Sequence, residues 1–103
     1  MQLTIRKYRK IEGDKKQIVE LVNREFVPML SKIDGFSDFY AFYADDGTLM
    51  SVSVFRDAKG ADESVRAAAK WVEQKLAKVL PDKPEVLSGE VFGYHHIEKK
   101  KAA

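Results

Sequence analysis

The chain has 103 residues, a length that suits one domain with a single modest core. Its formal charge is only +2, with acidic and basic residues interspersed, which argues against a surface devoted to nucleic acid or to membrane. Because it contains no cysteine, disulfides, thiolate metal sites and a cysteine nucleophile are excluded. We expect no signal peptide and no membrane span, which predicts a cytoplasmic protein.

The first predicted element is a short strand near the N-terminus, where apolar and polar side chains alternate. Leu3 and Ile5 point to one face of the sheet. Thr4 and Arg6 point to the other face. If the first and last strands are neighbours, Arg6 could form an ion pair with Glu90.

The first predicted helix follows a break at Gly13 and is capped by Asp14. Apolar residues recur at helical spacing along one side: Ile18, Leu21, Val22, Phe26, Met29, Leu30 and Ile33. Pro28 lies within this pattern and has no backbone N–H. We therefore expect it to kink the helix or to split it after Phe26.

Two central strands form a predicted hairpin around the turn Asp45-Asp46-Gly47. The first strand carries aromatic residues on both faces, with Phe36, Tyr40 and Phe42 on one face and Phe39 and Tyr43 on the other. The returning strand has a fully apolar face of Met50, Val52 and Val54. Tyr40 and Ser51 are expected to be near neighbours across the hairpin.

The second predicted helix opens at Gly60, and its first turn is acidic. Its apolar stripe is Ala61, Val65, Ala68, Val72, Leu76 and Val79. The last strand runs from Glu85 to Tyr94. We predict one domain over residues 1–96 and a charged, flexible tail over residues 97–103.

The order strand, helix, strand, strand, helix, strand predicts a ferredoxin-like α+β fold. In this fold a four-stranded antiparallel sheet carries both helices on one face. The other face would then expose apolar and aromatic side chains, which usually marks an interface. We therefore expect a homodimer that pairs through the sheet faces.

Four short stretches resemble one known family: Asp34-Gly35-Phe36, Ser51–Asp57, Ala69–Val72 and Ser88–Val91. Over nearly its whole length the chain resembles the antibiotic-biosynthesis-monooxygenase type of dimeric α+β barrel. The resemblance implies a monooxygenase that needs no cofactor and acts on planar aromatic or phenolic compounds, in a pocket between sheet and helices. The family also contains haem-degrading enzymes, small isomerases and members without a known activity.

Trp71 is the only tryptophan of the chain. In the monooxygenase interpretation it lines the pocket and stacks on the ring of the substrate; otherwise it packs at the edge of the core. Quinone-forming members of the family pair this Trp with an Asn one turn earlier, where this chain has Ala67. Haem degraders carry a His after the Trp, and this chain has none between Trp71 and Pro84.

Three further side chains are candidates for the pocket. Asn23 lies at the margin of the first helix and could bind a carbonyl or phenol, or simply face solvent. Tyr40 would offer a hydroxyl to the pocket or to the dimer partner, depending on which face the helices cover. His95 could act as a general base. Because His95 and His96 alternate along an extended segment, they cannot share one metal, and we expect no metal site.

Two other functions stay open beside the monooxygenase hypothesis. One is a dimeric ligand-binding or stress-associated protein without catalysis, which the absence of the Asn before Trp71 favours. The other is an isomerase or decarboxylase of the same fold that uses His95 or His96.

Overall fold

The computed structural model describes residues 1–97. Its elements are β1 (Gln2–Tyr8), α1 (Lys15–Leu21), a π-helical turn (Val22–Phe26), α2 (Val27–Ser31), β2 (Phe36–Tyr43), β3 (Leu49–Phe55), α3 (Ala58–Lys75) and β4 (Glu85–Glu90). The four strands form one antiparallel sheet in the order β2-β3-β1-β4. The predicted ferredoxin-like α+β fold is confirmed. The division into a domain and a tail stays a prediction, since residues 98–103 lie outside the described residues.

The first helical region begins where the Asp14 carboxylate accepts a hydrogen bond from the Lys16 N–H, at 2.9 Å. After about two turns it widens into the π-helical turn, in which the Val27 N–H donates to the Val22 carbonyl. Pro28 then stands in the first turn of α2, where a missing N–H is least costly. The sequence predicted a kink or a split after Phe26; the backbone stays helical there, and the hydrogen-bond pattern changes from π-helical to α-helical.

The β2–β3 hairpin closes as predicted, with Gly47 at a φ of 87°. The Asp46 carboxylate accepts hydrogen bonds from the hydroxyl and the N–H of Thr48, at 2.6 and 3.0 Å. These two bonds, with a smaller contribution from the charges of Lys7 and Arg9, lower the pKa of Asp46.

The start of β2 departs from simple alternation because the register shifts between Phe36 and Asp38. The shift turns Phe36 toward the helices, where its ring lies 5.7 Å from that of Phe55. The prediction that Phe36 shares a face with Tyr40 and Phe42 is therefore wrong. One extra residue in a strand reverses the direction of every side chain before it.

The start of α3 lies two residues earlier than predicted, because Asp57 caps it by accepting a hydrogen bond from the Gly60 N–H at 3.0 Å. The buried side of α3 is formed by Gly60, Ala61, Ser64, Ala68 and Trp71. The predicted apolar stripe differs from this buried side of α3, because its members Val65 and Val72 are only half-buried.

The last strand, β4, ends at Glu90 rather than at Tyr94, and residues 91–97 form no regular element. All six residues of β4 are exposed, because the helices leave this edge of the sheet uncovered. Arg6 lies opposite Val86 and not opposite Glu90, which instead accepts a hydrogen bond from the Gln2 side chain at 2.6 Å. The predicted ion pair between Arg6 and Glu90 is wrong.

The core lies between the helices and the face of the sheet that they cover. Its largest members are Tyr8, Phe26, Leu30, Leu49, Phe55 and Trp71. From β1 this covered face receives Thr4 and Arg6, while Leu3 and Ile5 point to the uncovered face. The helices therefore cover the polar side of the first strand.

Candidate functional site

A row of polar side chains is buried at the centre of the covered face. Thr4 and Ser53 lie opposite each other on β1 and β3, and both are fully buried. Arg6 and Ser51 form the next pair along the same strands, with exposures of 2% and 8%. The Thr4 hydroxyl lies 3.0 Å from that of Ser88, an exposed residue of β4, so the row is continued by an exposed hydroxyl on a third strand. Buried polar groups of this number are unusual where a helix packs on a sheet.

Arg6 is the charged member of this row. Its Nη2 donates a hydrogen bond to the Ser64 carbonyl of α3 at 3.1 Å. Its Nη1 is buried and finds no hydrogen-bond partner among residues 1–97. No carboxylate in this part of the chain lies within ion-pair distance of the guanidinium. Arg6 is thus a buried cation without a counter-ion in the described residues.

Burial also changes the titration of the two ionisable groups of β1. Desolvation lowers the pKa of Arg6, and Tyr8 offsets part of that shift. Desolvation raises the pKa of Tyr8, which is 6% exposed, and the nearby charge of Arg6 opposes the change. At neutral pH Tyr8 is therefore a neutral phenol that can donate a hydrogen bond.

A cavity of about 650 Å³ lies beside these two side chains. We call it the α3–β4 cavity, because it occupies the space between α3 and the uncovered edge strand. Its walls include Arg6 and Tyr8 from β1, Val65, Ala69 and Val72 from α3, and Val86 from β4. The exposed side chains of Glu73, Asp82 and Lys83 also line it. The cavity combines an apolar wall with two buried polar groups, an arrangement typical of ligand sites.

Trp71 lies deeper, within the core. It is 7% exposed, and its ring is 5.0 Å from that of Phe26. It lines a void of about 30 Å³, which shares Arg6, Tyr8 and Val72 with the α3–β4 cavity. Trp71 is therefore a core residue that does not line the α3–β4 cavity itself but lies next to residues that do.

Asn23 lines a different cavity of about 290 Å³, near the β2 side of the first helical region. Its Nδ2 donates a hydrogen bond to the Val19 carbonyl at 2.9 Å, and the residue is exposed. That bond uses part of the side chain's donor capacity within its own helix. Asn23 does not line the α3–β4 cavity.

The other two predicted candidates lie away from both cavities. Tyr40 is 61% exposed on the uncovered face, opposite Val52, and Ser51 instead lies opposite Ala41 on the covered face. The predicted proximity of Tyr40 and Ser51 is therefore wrong. His95 is exposed in the segment after β4, as is His96. The structure thus does not bring Trp71, Asn23, Tyr40 and His95 together.

Arg6 and Tyr8 were not predicted as site residues. The signal was present in β1, where Thr4, Arg6 and Tyr8 share one face and only the last is an ordinary core residue. Alternation along β1 separates this face from that of Leu3 and Ile5 but does not indicate which of the two the helices cover.

The described part of the chain contains neither a candidate metal site nor a membrane-spanning helix. Among residues 1–97, no group of three or more His, Asp or Glu side chains could hold a metal ion. Within the same residues, no helix is both long enough and apolar enough to cross a membrane.

Comparison with known proteins gives structural matches only. No protein-family model and no curated protein matches the chain. A monooxygenase from Streptomyces coelicolor, ActVA-Orf6 in complex with Nanaomycin D, is 13% identical with a TM-score of 0.68, covering 94% of this chain and 92% of its own. An antibiotic biosynthesis monooxygenase is 14% identical with a TM-score of 0.67, covering 90% and 100%. SnoaB, a cofactor-independent oxygenase from Streptomyces nogalater, is 12% identical with a TM-score of 0.59, covering 95% and 98%.

These matches extend over almost the whole of each compared chain, so they concern the complete fold and not a shared fragment. At such low identity they carry no residue-level information about the site. The chain therefore has the fold of the antibiotic-biosynthesis-monooxygenase type of protein, with one layer of helices on one face of a four-stranded antiparallel sheet.

Proposed function

We propose that this protein binds a planar aromatic or phenolic compound in the α3–β4 cavity and oxidises it with dioxygen, without a cofactor. The observation that carries the proposal is the cavity itself: about 650 Å³ of space between helix and sheet, within the range of about 300–1,000 Å³ typical of ligand sites. Two of the structures that share the fold are described as a monooxygenase with a bound ligand and as a cofactor-independent oxygenase.

The proposed reaction balances without a further reductant. A phenol with a free ring C–H and one O₂ give a quinone and one water. One oxygen atom becomes the new carbonyl, while the other leaves as water with two hydrogens taken from the substrate. The ring loses four electrons and dioxygen gains them, so a deprotonated phenol supplies the reducing power that a cofactor would otherwise provide.

The protein's own contribution would be desolvation and orientation of the substrate. Val65, Ala69 and Val72 offer a smooth apolar wall for a flat ring. Tyr8, kept neutral by burial, offers a hydrogen-bond donor to an oxygen of the substrate. Trp71 would not stack on the ligand; its fluorescence would change because Val72, which lines both the cavity and the void beside Trp71, contacts the ligand.

The first test is a titration of Trp71 fluorescence with hydroxylated naphthalenes and anthracenes, followed by oxygen uptake with the compounds that bind. Saturable quenching at about one ligand per chain is expected, and Ala69→Phe should abolish it by filling the cavity. Ala58→Phe makes the same exchange at an exposed position in the first turn of α3 and should leave binding unchanged. Equal binding by both variants would contradict the proposed location.

A second function, ligand binding without catalysis, is favoured by one feature of the site. Among residues 1–97, those that line the α3–β4 cavity include no histidine, and the carboxylates among them, Glu73 and Asp82, are exposed. The described part of the lining therefore offers no buried acid–base pair to move a proton at the ring. Saturable binding without oxygen uptake across the panel would favour this function over the oxygenase.

We also propose that two copies of the chain pair through the uncovered face of the sheet. This face exposes Tyr40, Phe42 and Leu87, with exposures of 61%, 47% and 68%. A groove of about 340 Å³, bordered by Leu3, Ile5 and Leu87, crosses it near β4. Apolar surface of this kind commonly forms an interface, and a second copy presents the matching face.

A further inference from the structure

We propose that Arg6 makes the α3–β4 cavity selective for organic anions: flat apolar molecules that carry a carboxylate, phenolate or enolate oxygen. The inference rests on the proposed function for the location of the ligand, but it concerns the charge of the ligand and not its oxidation. It assigns Arg6 as the residue that binds the oxyanion.

The first argument is that Arg6 is buried without a compensating charge. A guanidinium offers five N–H donors, and the only hydrogen bond it forms within residues 1–97 goes to the Ser64 carbonyl. Its flanking neighbours in the sheet, Ser51 and Val86, carry no charge. Buried arginines are ordinarily paired with a carboxylate, since an unpaired buried cation destabilises the fold. A destabilising group retained at a cavity wall points to a role in binding.

The second argument is the chemistry of the surrounding wall. Tyr8 lies on the same face of β1 and lines the same cavity, so its phenol can donate a hydrogen bond to the oxyanion that Arg6 attracts. The apolar wall formed by Val65, Ala69 and Val72 suits the body of the ligand. Together they fit an amphipathic anion better than either a neutral hydrocarbon or a small inorganic ion.

The charges at the mouth of the cavity do not reverse this preference. Glu73 and Asp82 are exposed, as is Lys83, which offsets one of them. Exposed charges are screened by salt over about 8 Å at physiological ionic strength. A buried guanidinium is screened much less, so its attraction for an anion dominates inside the cavity.

Contact with an anion requires a small movement of Arg6. The Nη1 atom is shielded from solvent, while the residue lines both the α3–β4 cavity and the void beside Trp71. Rotation of the guanidinium about its terminal torsions turns it from the void toward the cavity. The competing explanation is a water molecule in the void, which at about 30 Å³ has room for one that would satisfy Nη1.

The test compares two ligands of the same shape and different charge, 2-naphthoate and 2-naphthamide, by fluorescence titration and calorimetry. Wild-type protein should bind naphthoate about 10- to 100-fold more tightly than naphthamide, the range expected of hydrogen bonds to a charged group. Arg6→Met keeps the volume of the side chain and should remove that preference. Arg9→Met makes the same exchange at an exposed position beyond the end of β1 and should preserve it.

Each outcome decides between the proposals. Equal affinity for the two ligands in wild-type protein would overturn the anion site while leaving the cavity as a binding site, and would favour the buried water. No binding of either ligand would overturn the proposed function and this inference together. Because the wild-type comparison needs no variant, the result stands even if Arg6→Met fails to fold, and Arg6→Gln provides a second replacement.

Discussion

The covered and uncovered faces of the sheet carry opposite chemistry along the same strands. Under the helices, β1 contributes Thr4 and Arg6 and β3 contributes Ser53, all nearly or fully buried. On the uncovered face the same strands contribute Leu3 and Val52, which are half-buried. Tyr8 is the one residue of β1 in the apolar core, and large residues from other elements, such as Phe26, supply most of the rest. The polar side of a strand can thus be its inner side when neighbouring elements fill the space around it.

The two faces of the sheet contribute to different properties of the protein. The covered face combines a dense aromatic core with a polar row that borders the α3–β4 cavity and the void beside Trp71. The uncovered face holds apolar side chains that contribute little within one chain and, in our proposal, much between two. Substitutions on the two faces should therefore affect different measurements.

The largest effect is expected at the centre of the covered face. Phe55→Ala removes a fully buried ring and should lower the free energy of unfolding by about 3–5 kcal/mol. Phe42→Ala on the uncovered face, where the ring is 47% exposed, should lower it by less than about 1 kcal/mol in the monomer. Urea denaturation at a protein concentration that keeps the chain monomeric measures both, and equal losses would erase the distinction between the faces.

The next effect concerns association. Val52→Lys places a charge at the centre of the uncovered face and should raise the dimer dissociation constant by about 100-fold or more, because an unpaired ion in an apolar interface loses several kcal/mol of solvation. Gln17→Lys adds the same side chain to the exposed side of α1 and is the control. Sedimentation velocity measures the outcome; a wild-type chain that stays monomeric at micromolar concentration would refute the dimer.

A smaller effect separates two members of the polar row. Thr4→Val removes the hydrogen bond to Ser88 and should lower the free energy of unfolding by about 1 kcal/mol. Ser53→Ala should leave it unchanged or raise it slightly, since the Ser53 hydroxyl is buried and finds no partner among residues 1–97. Thermal unfolding of the two variants, compared with wild type, gives the sign of each change; a large loss in Ser53→Ala would show that its hydroxyl is satisfied.

The smallest effect is a dependence on alkaline pH. Burial raises the pKa of Tyr8 in the folded protein, with the charge of Arg6 opposing it. Above about pH 10 an unfolded tyrosine loses its proton while folded Tyr8 keeps it, so the free energy of unfolding should fall as the pH rises. Tyr43, whose pKa is also raised by burial, acts in the same direction. The lowered pKa of Arg6 acts in the opposite sense, because the unfolded state then binds more protons than the folded state.

Tyr8→Phe should therefore reduce the slope of the free energy of unfolding against pH between about pH 9.5 and 11. Denaturant titrations at several pH values measure the slope. An unchanged slope in Tyr8→Phe would mean that Tyr8 titrates as an exposed tyrosine does and that its burial is not maintained.

The candidate site was only partly predictable from the sequence. For Trp71 the sequence left two alternatives, a wall of the pocket or a packing residue at the edge of the core; the structure places it in the core, and it does not line the larger cavity. Arg6 and Tyr8 were not predicted as site residues, because alternation along a strand defines two faces but does not indicate which of them the helices cover. The register shift at Phe36 had no visible signal either, since nothing in Phe36-Ser37-Asp38 demands an extra residue.

The sequence by itself determined the boundaries that depend on local signals: the cap at Asp14, the proline at Pro28 and the turn at Gly47 each act within a few residues. The start of α3 and the end of β4 were predicted less well. The sequence also determined the fold class, through the order of the elements. Only the tertiary structure decided which side of β1 lies under α3, because that choice depends on the volumes that distant residues such as Phe26 and Phe55 contribute to the same layer. A buried cation is recognisable as such only once that layer has formed around it.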